Sequence, residues 1–159
     1  MRIFKIVISF ILLFLNTSFH AQVNDKTWRS IIESKDENWF STNEAKEIAE
    51  NVLLYQRDIG GWPKNIQMQN PLTIEEKQKL LAIKYDPIEC TTDNGATYQE
   101  MLYLSKMYRK NPDERYKKAF LKGIDYLLEA QYENGGWPQF YPLMKGYYSH
   151  ITYNDDSMA

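Results

Sequence analysis

From Thr27 to Gln131 the apolar side chains recur every three or four positions, and no stretch keeps the strict alternation of a half-buried strand. This spacing predicts five helices. The first is short, Thr27 to Ser34. The second opens at Ser41, where Glu44 completes a capping-box spacing, and runs to about Gln56 with Ile48, Val52 and Leu53 on one face. Thr73 and Glu76 form another such box and open a third helix to about Lys84. Asp93 or Asn94 is the expected cap of the fourth, whose stripe is Met101, Leu102, Leu104, Met107 and Tyr108. Asp113 opens the fifth, which reaches Gln131 through Tyr116, Phe120, Ile124 and Leu127, and Pro112 keeps it from fusing with its neighbour. The fold class is all-α.

Two of these helices end in the same way. Gln56-Arg57-Asp58-Ile59-Gly60-Gly61-Trp62-Pro63 matches Gln131-Tyr132-Glu133-Asn134-Gly135-Gly136-Trp137-Pro138, an offset of 75 residues (131 − 56). Each copy follows paired leucines, Leu53-Leu54 and Leu127-Leu128, and offers glycines for a left-handed helix cap, then a tryptophan, then a proline that bars further helix. The pattern implies stacked helical hairpins, each burying a face the other could not bury alone. Either copy reads as a helix stop with a packed tryptophan, or as the border of a carbohydrate-binding cleft.

Composition adds the compartment and removes some partners. Arg2 and Lys5 precede an apolar run from Ile6 to Leu15, broken only by Ser9, and Phe19-His20-Ala21 gives a small-residue cleavage point. The apolar core is about ten residues, against roughly 20 for a span, so residues 1–21 read as a signal peptide and the protein as secreted or periplasmic, with no membrane attachment after cleavage. The chain carries 19 Lys+Arg and 21 Asp+Glu; without Arg2 and Lys5 that leaves 17 against 21, a net charge of −4. An acidic exported protein is a poor partner for nucleic acid, and an acidic substrate needs a local basic cluster or a bridging metal. The single cysteine, Cys90, cannot form an internal disulfide and reads as a small buried residue. Twelve tyrosines and four tryptophans suit a protein that packs helices and also offers flat faces to a ligand.

Candidate chemistry gathers at two polar helix starts. Thr91-Thr92-Asp93-Asn94-Gly95-Ala96-Thr97 supplies three hydroxyls, a carboxylate and an amide where one cap needs a single such group. Ile151-Thr152-Tyr153-Asn154-Asp155-Asp156-Ser157-Met158 has the same character, and its adjacent carboxylates repel unless a cation offsets them. Carboxylate and amide oxygens are hard ligands of the kind calcium takes, and a plain N-cap remains the competing reading at both places.

Four segments taken in order resemble the pectate lyases of polysaccharide lyase family 10: Gln56-Arg57-Asp58-x-Gly-Gly-Trp-Pro-Lys64-Asn65, Thr92-Asp93-Asn94-Gly95-Ala96-Thr97, Gln131-x-x-x-Gly-Gly-Trp-Pro-Gln139-Phe140-Tyr141-Pro142 and Thr152-Tyr153-Asn154-Asp155-Asp156-x-Met158. The resemblance covers the chain from about Ala45 onward. It implies an (α/α)-toroid, with residues 22–159 as the N-terminal part of a catalytic domain that is incomplete in this chain. It implies calcium-dependent β-elimination of polygalacturonate, in which the metal bridges enzyme and uronate carboxylate and stabilises the charge that develops there. By motif position Asp155 resembles the calcium-binding aspartate, with Asp156 beside it, and Asp93 the other essential acidic residue of the cleft, able to serve catalysis or the metal. Asn94 and Lys64 are expected at the substrate, Lys64 as a contact to its carboxylate or else as a solvated surface lysine. Trp62 and Trp137 are candidate sugar platforms. The family's base resembles an arginine well downstream of the Asn-Asp-Asp segment, which implies a base beyond Ala159 and an inactive chain without it. Arg109 and Arg115 flank a helix–helix turn and read as surface residues. A toroid glycoside hydrolase using paired carboxylates, or a non-catalytic glycan-binding module, is the alternative.

Overall fold

The computed structural model describes residues 27–33 and 36–151. The expected signal peptide, Asn154, Asp155 and Asp156 lie outside the described residues. Among the described residues five α-helices follow in chain order: α1 Trp28–Ile32, α2 Asn43–Tyr55, α3 Ile74–Ala82, α4 Tyr98–Lys110 and α5 Glu114–Ala130. Among the described residues the only extended pairings are two isolated bridges, so the all-α expectation holds.

Two caps form as expected, a third forms at Thr27, and two do not. Thr27 accepts from the Ser30 amide, Asp113 accepts from the Arg115 amide at 2.8 Å, and Thr73 and Glu76 complete both arms of their box. The Ser41–Glu44 box does not form. Ser41 is drawn into a 3₁₀ turn over Trp39–Ser41, so the cap moves to Thr42, which accepts from the Ala45 amide at 3.2 Å. Glu44 instead accepts from the Trp39 indole at 3.1 Å. Nor do Asp93 and Asn94 cap α4. They lie in a separate 3₁₀ turn, Asp93–Gly95, in which Asn94 and Gly95 take positive φ, and the helix begins only at Tyr98.

The core forms where α4 and α5, joined by the short Asn111–Asp113 link, pack as an antiparallel hairpin against α2. Beneath them Trp28, Phe40 and Tyr103 cluster, with Tyr103 ring centroids 5.0 Å from Trp28 and 5.7 Å from Phe40. The Tyr103 hydroxyl donates to the Ala45 carbonyl at 2.8 Å, and burial pushes its acidity well down. Lys106 closes the end of α1 by donating to the Ile32 carbonyl at 2.6 Å. α3 contributes only Leu80 to the interior and rides on the surface.

The repeat seen in sequence is also a repeat in space. Gln56 and Gln131 end their helices in extended conformation, and each side-chain amide donates to the glycine carbonyl four residues on, at 2.9 and 3.0 Å. Arg57 donates to the Gly61 carbonyl and accepts from Gly60; Tyr132 does the same with Gly136 and Gly135. Trp62 and Trp137 each donate their indole to a carbonyl ten residues back, Val52 and Leu127, at 2.8 Å. The glycines therefore do not form the expected left-handed helix caps. The glutamine has already ended the helix, and Gly60 and Gly135, at φ 105° and 86°, close a tight turn beyond it.

Candidate active site

The segment Cys90–Thr92 runs between the two chain exits that follow the turns. The Thr91 amide donates to the Trp62 carbonyl at 3.2 Å and the Thr92 amide to the Gln139 carbonyl at 3.1 Å. Bridges pair Pro63 with Cys90 and Thr91 with Phe140. The hydroxyl of Thr91 donates to the Gln139 carbonyl, and that of Thr92 to the Pro138 carbonyl at 2.9 Å. A segment read as a helix start is thus an extended strap, which is why its surplus of hydroxyls has nothing to do with capping.

Asp93 sits at the end of this strap. Its amide donates to the Thr91 hydroxyl at 3.0 Å, and its carboxylate, 7% exposed, is paired with the Lys64 ammonium. Lys64 also lies over the Phe140 ring, 4.9 Å from the centroid. The first turn's exit therefore provides the cation and the second provides the aromatic face beneath it. Lys64 is not a solvated surface lysine: its side chain is 24% exposed and engaged on both sides. Asn94 turns outward and donates to the Asn65 side-chain oxygen at 3.2 Å, both asparagines being in left-handed conformation.

Thr97 fixes the other end of the loop. Its hydroxyl accepts from the Trp62 amide at 3.1 Å and donates to the Thr91 carbonyl at 2.9 Å. The backbone there adopts φ 67° and ψ −51°, the region of the strained γ-turn and a costly one for a β-branched residue. Beside the loop opens a cleft of about 170 Å³ whose walls include Trp28, Lys64, Asn65, Gln67, Asn94 and Glu100. Glu100 is buried, and one oxygen accepts from the Trp28 indole at 2.7 Å while the other has no partner among the described residues. Burial raises its carboxyl to about 7.

Of the expected site residues, Asp93, Asn94 and Lys64 come together at one edge of the cleft. Trp62 does not offer a sugar platform: it is fully buried, bonded at its indole and packed over Gly123. Trp137 is half-buried, its indole held by α5. The exposed aromatic surface near Lys64 belongs instead to Tyr148, edge-on to Phe140 at 5.4 Å, and to Tyr147 beside it. The high tyrosine content signalled such faces without locating them. Cys90 is buried as expected, its thiol pushed up to about 12. Arg115 is exposed and bound to Glu50 and Asp113, and Arg109 faces Glu37 at the surface.

Among the described residues no group of three or more acidic, histidine or cysteine side chains gathers to hold a metal. Asp93 offers a single buried carboxylate oxygen donor group there, and it is paired with Lys64.

Helical hairpins with a cleft at their loop ends define the class, an all-α helical toroid. Comparison with known proteins supplies the family. A sequence model described as Pectic acid lyase matches residues 56–159. A solved family 10 polysaccharide lyase from Cellvibrio cellulosa, an aspartate-to-alanine variant in complex with trigalacturonic acid, is 33% identical with a TM-score of 0.58 over 76% of this chain and 36% of that one. A second structure of a family 10 polysaccharide lyase from the same organism is 32% identical with a TM-score of 0.57, over 79% and 38%. No curated protein sequence matches. The chain belongs to the pectic acid lyase family, and it spans a little over a third of the length of these two structures.

Proposed function

We propose that this chain is the N-terminal part of a secreted pectate lyase that cleaves α-1,4-linked polygalacturonate by calcium-dependent β-elimination. The observation that carries the reading is the Asp93–Lys64 pair at the edge of a polar cleft, between the two Gly-Gly-Trp-Pro exits. An acidic polymer needs a cation wherever it meets an acidic protein, and this edge supplies one residue to bind a metal and one to meet a carboxylate. Asp93 would hold calcium together with Asp155, with Asp156 adjacent and Asn94 oriented toward the substrate. When bound, calcium supplies Lewis-acid polarisation of the uronate carboxylate. Lys64 then orients the sugar by its carboxylate, and the Phe140–Tyr148 face shields one side from water. The proton alpha to the carboxylate is removed by an arginine beyond Ala159. Arg109 and Arg115 are engaged with surface acids, Glu37 and Glu50.

Polygalacturonate incubated with the full-length lyase should yield products with the ultraviolet absorbance of an unsaturated uronate. EDTA should abolish the signal and added calcium restore it. Saturated products would mean hydrolysis and end the lyase reading; unchanged turnover in EDTA would end the metal assignment. The 159-residue chain alone should show no turnover, and activity from it would remove the base from beyond Ala159.

A further inference from the structure

We infer that the polar cleft beside Lys64 is a subsite for one sugar ring, in which Glu100 hydrogen-bonds the ring's free hydroxyls. The inference deepens the pectate lyase reading, on which the identity of the sugar rests, while the hydroxyl chemistry comes from the cleft itself. Its volume of about 170 Å³ is several times the roughly 30 Å³ of one water. Four carboxamides line it, Asn65, Gln67, Asn94 and Gln99, each able both to donate and to accept. That lining complements hydroxyls, which also do both. Glu100 is the buried member of the same wall, 2% exposed. The Trp28 indole takes its Oε1 at 2.7 Å, and Oε2 has no partner among the described residues. A buried oxygen left in that state is costly, and a ring hydroxyl entering the cleft supplies what it lacks. A hydroxyl suits this carboxyl in either protonation state, since it donates to the anion and accepts from the acid. Trp28 is pinned from both ends, its amide on Gln67 at 2.8 Å and its indole on Glu100, so α1 closes this side of the cleft. Lys64 stands on the opposite chemistry of the same lining, which orients the ring with its carboxylate toward Lys64 and its hydroxyls toward Glu100.

Calorimetry on the full-length protein in EDTA, with the neutral α-1,4-linked galactose trimer as ligand, isolates the hydroxyl contact. That trimer offers hydroxyls and no carboxylate, so neither a metal nor Lys64 enters the measurement. The parent should bind it at millimolar concentration; no binding would mean that the cleft holds water only, and would refute the subsite. Glu100→Met should bind on the order of tenfold more weakly, the effect of one lost hydrogen bond. Trp28→Phe removes the indole N–H but leaves Glu100 in place, and should bind within about threefold of the parent. Equal losses in these two variants would show that Glu100 serves only to hold Trp28, and would overturn the contact. Should Glu100→Met fail to fold, Gln99→Ala decides: this half-buried residue of the same wall should lose about threefold, and unchanged binding would refute the subsite. The lyase reading is scored separately, on unsaturated products from polygalacturonate. Such products together with a Glu100→Met that binds like the parent would sink the subsite alone. Loss of trimer binding in Glu100→Met without any unsaturated product would keep the subsite and sink the lyase.

Discussion

The two Gly-Gly-Trp-Pro turns share their glutamine, backbone and indole hydrogen bonds, and only the second adds one, from the Gly136 amide to the Asn134 side chain. They differ most in what presses on them. The first is buried at its glutamine, glycines and tryptophan, with Asp58 at the surface. A Cβ on Gly60 would lie 2.2 Å from the Lys122 carbonyl oxygen, and one on Gly61 would lie 2.7 Å from the Tyr126 ring. Gln56 is buried and donates a second bond, to the Ala119 carbonyl at 2.8 Å. At the second turn Gly135 meets nothing within 4 Å, Gln131 is exposed and Trp137 is half-buried. Closely similar turn geometry thus serves as a core element in one copy and as an outer element in the other. Repetition of sequence fixes a turn's shape; its energetic weight comes from its neighbours.

The sharpest break between the copies should come from the tryptophans. Trp62→Ala empties a fully packed site and should cost about 3–5 kcal/mol, whereas Trp137→Ala should cost about 1–2 kcal/mol, both read by urea denaturation. Equal losses would show that the second turn is as deeply embedded as the first. The glycines come next. Gly60→Ala combines a backbone clash with left-handed strain and should cost about 2–4 kcal/mol, against about 1 kcal/mol for Gly135→Ala, where only the φ is at issue.

The remaining test is a pH dependence in the first copy's surroundings. Glu100, in the first turn of α4 just past Thr97, is raised from 4.5 to about 7, chiefly by burial. An acid whose folded pKa is raised binds more protons folded than unfolded. Its contribution is therefore present below about 4.5 and is lost as pH climbs to about 7, by up to about 3 kcal/mol. Glu100→Gln should flatten that part of the stability–pH curve; an unchanged slope would place its origin elsewhere.

Much of this was legible in the sequence because it is local. Periodicity locates the helices, Thr73–Glu76 and Asp113 announce their caps, and the repeat stands out at an offset of 75 residues. What was not legible depends on long-range contacts. Asp93 reads as a cap until its neighbours bend the chain into a 3₁₀ turn and deliver it to Lys64, 29 positions away. Trp62 reads as a platform until Gly123, 61 positions on (123 − 62), leaves room for its ring in the core. The Phe140–Tyr148 face arises only because the second exit lies beside the strap, a pairing across 49 residues (140 − 91) that no periodicity encodes.

Thr97 sets a limit on how this protein can be improved. A designer seeking stability would replace a β-branched residue at φ 67° with glycine and relieve the strain at once. That replacement would delete the hydroxyl joining the Trp62 amide to the Thr91 carbonyl, the tie that holds the first turn to the acidic loop. Serine keeps the tie but only part of the relief. Relief of backbone strain and retention of this tie therefore pull this position in opposite directions, and threonine keeps the tie.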